Sequence, residues 1–228
     1  MRRMPLSITG WLRRNAWRFS PQNLLEKLEN CRFDARHGTD TLTDVRLQGL
    51  SIEGPNRQHG SRYHPTPPRA LRHVLARLAI DTAQYSFVDI GSGKGRTLLV
   101  AGGLGFRRVV GVEFAEELHR VAQANIQTWQ ARHPGSPIES VKIDATQYAL
   151  PDGPLVLYFF KPFDAVVLRQ VLANVRQSVK AQPRRVIVVF LYLEDERVAF
   201  DEAGGFVPLF SWRRFDVFEC RPTDQKGI

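Results

Sequence analysis

Residues 86 to 100 read SFVDIGSGKGRTLLV, and this stretch decides the fold. It begins with a short, mostly apolar run typical of a buried strand, continues through three alternating glycines and ends in an apolar run typical of a helix. A strand, a glycine turn and a helix in this order present backbone N–H groups and the positive end of the helix dipole to a ligand. The glycines let that ligand approach the backbone closely. The stretch therefore predicts a loop that binds a nucleotide-like cofactor.

The spacing of the glycines narrows the choice of cofactor. Dinucleotide-binding loops have glycines at the first, third and sixth positions, and the sixth position counted from Gly91 is Arg96. A Walker loop needs a glycine five positions before its Gly-Lys pair, and Val88 stands there. Asp89, two residues before the first glycine, would repel a pyrophosphate and attract an ammonium group. These residues favour a cofactor with an amino-acid end and no phosphate.

Two further acids end the next two predicted strands. Glu113 ends the strand predicted within residues 107–114, 24 residues after Asp89, and Asp144 ends the strand predicted within residues 140–146. An acid at the first of these places can accept hydrogen bonds from both ribose hydroxyls. Open α/β sheets bind ligands at the carboxyl ends of their strands, so we expect the three acids to share one site.

The D-x-G-x-G-x-G loop and the two later acids resemble motif I and the strand-end acids of class I methyltransferases that depend on S-adenosylmethionine (SAM). The resemblance covers about residues 61 to 222 and implies SAM as the cofactor. It implies that Asp89 organises the loop around the methionine ammonium, that Glu113 holds the ribose and that Asp144 contacts the adenine amino group. The cofactor-binding residues that it implies are Asp89, Gly91, Ser92, Gly93, Glu113, Asp144 and Ala145.

Two shorter elements extend this resemblance. The F-D-x-R-x-G element at residues 33–38 and the Y-x-P-T element at 63–66 resemble those of a group of uncharacterised bacterial methyltransferases. The second element also resembles a stretch of two groups of protein lysine methyltransferases, the non-SET histone enzymes and the enzymes that modify ATP synthase c subunits. In those groups such residues lie over the SAM. We therefore expect the loop-rich segment 32–66 to form a lid, with Tyr63 and His64 near the methyl group.

Lys161-Pro162-Phe163 follows the fourth predicted strand, where many amine-modifying relatives have asparagine in place of the lysine. A cation there would repel an ammonium and suit a carboxylate or phenolate. The alternative is a lysine that merely extends from the strand end into solvent. We take Lys161, His64 and Tyr63 as the catalytic candidates, with His64 as the better base for a hydroxyl acceptor.

Strands and helices alternate from about residue 67 to residue 203, and a hairpin is expected at 206–221. This order predicts an α/β fold with a mostly parallel sheet, a C-terminal antiparallel hairpin and helices on both faces, and the resemblance implies that it is a Rossmann-like class I methyltransferase sheet. We divide the chain into an N-terminal basic helical segment and lid, residues 1–60, and a SAM-dependent methyltransferase domain, residues 61–228.

Composition limits the partners and the compartment. The 228 residues carry a net charge of +9, of which five arginines and no acid fall in residues 1–25. This basic segment either lies on an anionic membrane surface or packs its tryptophans on the catalytic domain. Two distant cysteines fit a reducing cytoplasm and indicate neither a disulfide framework nor a metal site. No apolar run reaches the length of a membrane span, and no secretory signal is evident.

We therefore expect a cytoplasmic enzyme that transfers the SAM methyl group to an acceptor. The basic balance favours an anionic small molecule first, a protein side chain such as lysine second and RNA third, because no RNA-binding module is evident. A SAM-binding protein without turnover is the rival outside enzymes. An NAD-dependent oxidoreductase is the least favoured alternative, because the glycine that its loop needs at the sixth position is missing.

Overall fold

The computed structural model describes residues 21–135 and 137–221. The basic helix expected before residue 20 lies outside the described residues. The α-helices of the described part are α1 (Pro21–His37), α2 (Pro68–Arg77), α3 (Arg96–Gly102), α4 (Glu116–Gln130), α5 (Ala165–Ala181) and α6 (Arg197–Ala203). Its strands are β1 (Ser86–Ile90), β2 (Arg108–Glu113), β3 (Ile138–Lys142), β4 (Leu155–Phe160), β5 (Val186–Leu191), β6 (Phe206–Trp212) and β7 (Phe215–Cys220).

All seven strands form one sheet in the order β3-β2-β1-β4-β5-β7-β6. The first five are parallel, and β7 and β6 are antiparallel to their neighbours. The predicted fold class is confirmed, including the C-terminal hairpin. The strand order reverses between β1 and β4, and the crevice at such a switch point is where open α/β sheets bind ligands.

Two apolar cores cover the two faces of the sheet. One contains residues of α1, α2, α3 and α4, and the other contains residues of α5 and α6. Strands β1 and β5 are buried at every residue, which explains their continuous apolar sequences. The described helices include none that is both long enough and apolar enough to span a membrane.

The lid is more regular at its start than the sequence predicts. Helix α1 continues to His37, inside the segment expected to be loop-rich. After it, isolated bridges join Val45 to Tyr63 and Gly60 to Phe163. We call residues 38–66 the lid segment. The first bridge lies within the lid segment, and the second holds the segment to Phe163, just beyond the carboxyl end of β4.

The third strand ends earlier than predicted. Strand β3 stops at Lys142, so Asp144 lies two residues beyond it instead of at its last position. The cause is local, because the Asp144 carboxylate accepts hydrogen bonds from the backbone N–H and hydroxyl of Thr146 and caps a short 3₁₀ turn. Asp144 still lies at the carboxyl edge, since the N–H of Ile143 donates to the Glu113 carbonyl over 3.1 Å.

Candidate functional site

The glycine loop, residues 91–95, joins β1 to α3 at the carboxyl edge. Gly91 and Gly93 have φ values of +82° and +54°, in the left-handed region that favours glycine. A Cβ atom on Gly93 would overlap the ring of Tyr63, and one on Gly91 would overlap Pro162. The lid segment and the loop after β4 therefore pack directly on the glycine backbone.

Asp89, in β1, is buried with one carboxylate oxygen unsatisfied. Its Oδ2 accepts a hydrogen bond from the Thr97 hydroxyl, whereas its Oδ1 is fully buried and has no hydrogen-bond partner. Burial raises the pKa of Asp89 to about 7, although the bond from Thr97 opposes the shift. Buried polar atoms are nearly always paired, so the free oxygen fits a donor supplied by a ligand.

Glu113, the last residue of β2, holds the glycine loop in place. Its Oε2 accepts from the N–H of Gly93 over 2.8 Å, and its Oε1 accepts from the N–H of Ala115 over 2.9 Å. Burial raises the pKa of Glu113, and these two backbone bonds oppose the shift. Each carboxylate oxygen has a second lone pair, so the side chain can still accept hydrogen bonds from a ligand.

Two joined cavities bring the predicted cofactor residues together. One cavity is lined by Asp89, Gly91, Ser92, Gly93 and Glu113, among others. A second is lined by Asp144 and Ala145 and by the apolar side chains of Ile143, Phe163 and Val167. Both include Gly91, Phe114 and Pro162, so they adjoin at the glycine loop.

Polar groups remain unused in the first cavity, and the lid segment reaches the second. The Ser92 hydroxyl is buried without a hydrogen-bond partner. In the second cavity, Asn56 of the lid segment donates to Asp144 Oδ2 over 2.9 Å. A cofactor that extends from Asp89 to Asp144 would therefore lie beneath the lid segment.

Tyr63 and His64 reach the same cavity with different surroundings. The Tyr63 hydroxyl donates to the carbonyl of Thr41 over 2.7 Å, and burial raises the pKa of Tyr63 above its usual range. This tyrosine is therefore a wall of the cavity and a poor proton acceptor. His64 is half-exposed, with Nδ1 2.8 Å from Asp44 Oδ1 and its ring edge against Phe160. Its Nε2 remains the better candidate for a base.

Lys161 is not an isolated cation. Its Nζ lies 3.3 Å from Oε1 of Glu196, which is buried, and 3.6 Å from Oε2 of Glu194. Lys161 and Tyr192 follow β4 and β5 directly, and both have left-handed backbones, with φ of +38° and +63°. Strained residues of this kind cluster at functional sites. The two carboxylates hold the ammonium, and the sequence neighbours of Lys161, Phe160 and Pro162, line the first cavity.

Sequence reasoning missed the buried cation Arg96. Its Nε donates to Thr41 Oγ1 over 2.6 Å, its Nη1 donates to Asn30 Oδ1 over 2.9 Å, and its Nη2 lies 3.7 Å from Asp34 Oδ2. The neighbouring Lys94 pairs with Asp40 at 2.9 Å. Lys94 of the glycine loop and Arg96 at the start of α3 therefore hold α1 and the lid segment. The acids and threonines of residues 34–41 were the sequence feature that could have indicated partners for Lys94 and Arg96.

Residues 88–187 match the family model described as a methyltransferase domain. The matched stretch runs from β1 into β5 and contains the glycine loop and the three acids. The match identifies residues 88–187 as a methyltransferase domain, and together with the sheet order it supports an enzyme whose cofactor is SAM.

Two solved structures illustrate the fold. A SAM-dependent methyltransferase from Aquifex aeolicus is 13% identical, with a TM-score of 0.51 over 66% of this chain and 89% of that chain. A predicted N6-adenine-specific DNA methylase from Listeria monocytogenes is 15% identical, with a TM-score of 0.52 over 69% of this chain and 52% of that longer chain. At such identities the likeness shows the fold alone. No curated protein matches the sequence.

Proposed function

We propose that SAM binds across the two joined cavities and that its methyl group passes to an anionic acceptor at a mouth beside Lys161. In this proposal Asp89 Oδ1 accepts from the methionine ammonium, and the backbone at Gly91 to Gly93 lies against the methionine end together with Ser92. Glu113 accepts from the ribose hydroxyls, and Asp144 and Ala145 meet the adenine. The observation that carries the proposal is the unpaired, buried Asp89 Oδ1 in the same cavity as Glu113.

SAM supplies an electrophilic methyl group, so the protein must chiefly align the acceptor and exclude water. Tyr63 and Pro162 pack against the glycine loop and close the cavity on two sides. His64, held through Nδ1 by Asp44, accepts a proton at Nε2 when the acceptor is a hydroxyl. The catalytic domain of this proposal is residues 61–228, with residues 1–60 as the basic segment and lid, and the compartment is the cytoplasm.

We define the acceptor mouth by Arg62, His64, Phe160, Lys161 and Tyr192. Phe160 and Tyr192 stack with ring centroids 5.5 Å apart and give it an aromatic wall that suits a planar acceptor. Since Glu194 and Glu196 already hold Lys161, an anionic group of the acceptor would meet Arg62 and Arg214, whose guanidinium lies 4.7 Å over the Tyr192 ring. An anionic small molecule remains the first acceptor expected from the sequence, with protein lysine and RNA as alternatives.

The test is transfer of labelled methyl groups from SAM into small-molecule, protein and nucleic-acid fractions of a cell extract. We expect label in one fraction with the wild type. Lys161→Met should lower this transfer about 10- to 100-fold, because it leaves the buried carboxylate of Glu196 unpaired beside the acceptor mouth, and it should leave SAM affinity within about twofold. Lys161→Arg, which keeps the ion pairs, should retain most of the transfer.

Two results would contradict the proposal. A wild type that binds SAM and labels no fraction would favour the SAM-binding protein without turnover. Full activity of Lys161→Met would show that Lys161 only extends from the end of β4.

A further inference from the structure

A strip of alternating aromatic rings and guanidinium groups leads away from the acceptor mouth. It begins where the His64 ring meets Phe160, with centroids 5.8 Å apart, and continues through the stacked pair of Phe160 and Tyr192. Arg214 then lies 4.7 Å over Tyr192. The mouth and the first guanidinium of the strip are therefore in direct contact.

The strip continues over the hairpin and α2. Arg213 lies 4.7 Å over the Trp212 ring, and His73 stacks on the same ring at 4.2 Å. Arg77, one helical turn after His73, lies 4.5 Å over Phe210. Phe210 and Trp212 are two residues apart on β6 and so share one face of the sheet. We call these residues, with Phe160, Tyr192 and Arg214, the arginine–aromatic strip.

The charges of this strip are positive and exposed. Helix α2 has the sequence PRALRHVLAR, with three arginines, one histidine and no acid. Its residues His73 and Arg77 are exposed, as are Arg213 and Arg214 of the hairpin turn. Asp216 of β7 is turned to the other face of the sheet, where it pairs with Arg197 of α6 at 3.1 Å. A carboxylate does reach the strip at its mouth end, since Glu194 lies 3.9 Å from Arg214.

Guanidinium groups stacked on rings are held in one plane, so their N–H edges face outward toward anionic oxygens. Flat bases stack on aromatic rings and guanidinium planes, and a positive groove with such platforms is the usual design for binding single strands. A single strand alternates flat bases with anionic phosphates along its whole length, whereas a membrane surface presents anionic headgroups without flat groups between them.

We propose that the arginine–aromatic strip binds a single-stranded nucleic acid, which brings a nucleotide to the acceptor mouth. Delivery of a nucleotide to the acceptor mouth rests on the proposed function, whereas binding of the strand to the strip does not. It makes a nucleic-acid strand the anionic acceptor, ahead of the small molecule expected from the sequence. The sequence could not show the strip, because its residues come from α2, the ends of β4 and β5, and the hairpin.

The test is binding of fluorescent single-stranded RNA and DNA oligonucleotides to the full chain by anisotropy at several salt concentrations. The strip variant is Arg77→Ala with Arg213→Ala. The control is Arg169→Ala with Arg197→Ala, which removes the same charge from α5 and α6 on the other face. The N-terminal arginines contribute equally to every variant, so the comparison isolates the strip.

We expect the strip variant to bind at least tenfold more weakly and the control to stay within about threefold of the wild type. In the strip variant the negative slope of log K against log salt should become less steep by roughly 1.4, because two contacts to single-strand phosphates are lost. Crosslinks from a photoreactive base should map to the peptides of Trp212 and Tyr192. A strand with its nucleophile at the mouth should also take label from SAM.

The inference would be overturned if oligonucleotides did not bind, or if both double variants lost oligonucleotide affinity equally. It would also be overturned if the strip variant lost affinity only for phosphatidylserine vesicles, because that result would assign the strip to a membrane. SAM titration separates the two proposals. The strip variant should bind SAM like the wild type, whereas a wild type that binds strands and not SAM would refute the proposed function and leave the strip intact.

Discussion

The affinity for SAM should rise about tenfold per pH unit as the pH increases to about 7, where Asp89 loses its proton. Burial gives this carboxyl group its raised pKa, so it is protonated below that pH and cannot pair with the SAM ammonium. Binding in that range must expel the proton. α-Amino groups lose their own charge at about pH 7.7 to 8.0, so the affinity should reach a maximum between about pH 7 and 8.

The same shift has a consequence for stability in the absence of SAM. The pKa of Asp89 is higher in the folded chain, about 7, than its ordinary value of 3.8, so the folded state holds the proton more tightly. The free energy of unfolding should therefore fall as the pH rises from about 4 to 7, by roughly 4 kcal/mol from this group. Asp89→Asn should remove this loss and stabilise the chain at pH 8, while it weakens SAM binding.

Calorimetry across this pH range, in two buffers with different ionisation enthalpies, measures both the affinity and the protons released. Near pH 6 we expect about one proton released per SAM bound by the wild type. Asp89→Asn should release no proton when SAM binds, and its SAM affinity should not change with pH below about 7. An affinity that stays constant from pH 5.5 to 7 would refute the pairing of Asp89 with the ammonium.

Glu113→Gln should weaken SAM binding about 10- to 150-fold, the loss expected for hydrogen bonds to a buried charge. The amide keeps the size of the carboxylate, but its NH₂ group would face one of the two backbone N–H groups, of Gly93 or Ala115. The glycine loop loses an anchor, and the ribose loses an acceptor. The free energy of unfolding should fall by about 1 to 3 kcal/mol.

A matched control is Glu139→Gln on β3, where the carboxylate is half-exposed and pairs with Arg108. The same chemical change there should leave SAM affinity within about twofold, because exposed ion pairs contribute little. Thermal unfolding of both variants separates misfolding from loss of the ligand contact. Unchanged SAM affinity in a folded Glu113→Gln variant would exclude Glu113 from the cofactor site.

Local patterns predicted the part of the candidate site that lies on the sheet itself. Asp89, Glu113 and Asp144 were located because each follows or ends a continuous apolar run, and parallel topology brings such ends to one edge. The third of these strands ended two residues early, because capping of a 3₁₀ turn by Asp144 competes with strand pairing.

Contacts between distant segments could not be predicted. The ion pairs of Lys161 with Glu194 and Glu196 join the loops after β4 and β5, and no periodicity relates those positions. The links from Arg96 to Asn30 and Asp34 depend likewise on how α1 packs. The sequence shows no carboxylate next to Lys161, whereas the structure pairs it with Glu194 and Glu196.

The most direct test of the central claim is a calorimetric titration of the wild-type chain at about pH 7.5 with SAM, S-adenosylhomocysteine and NADH. We expect micromolar, one-to-one binding of the first two, which share the ammonium, ribose and adenine groups that the proposed site recognises, and no binding of NADH. Absence of SAM binding, or binding of NADH in its place, would contradict the account and favour an oxidoreductase.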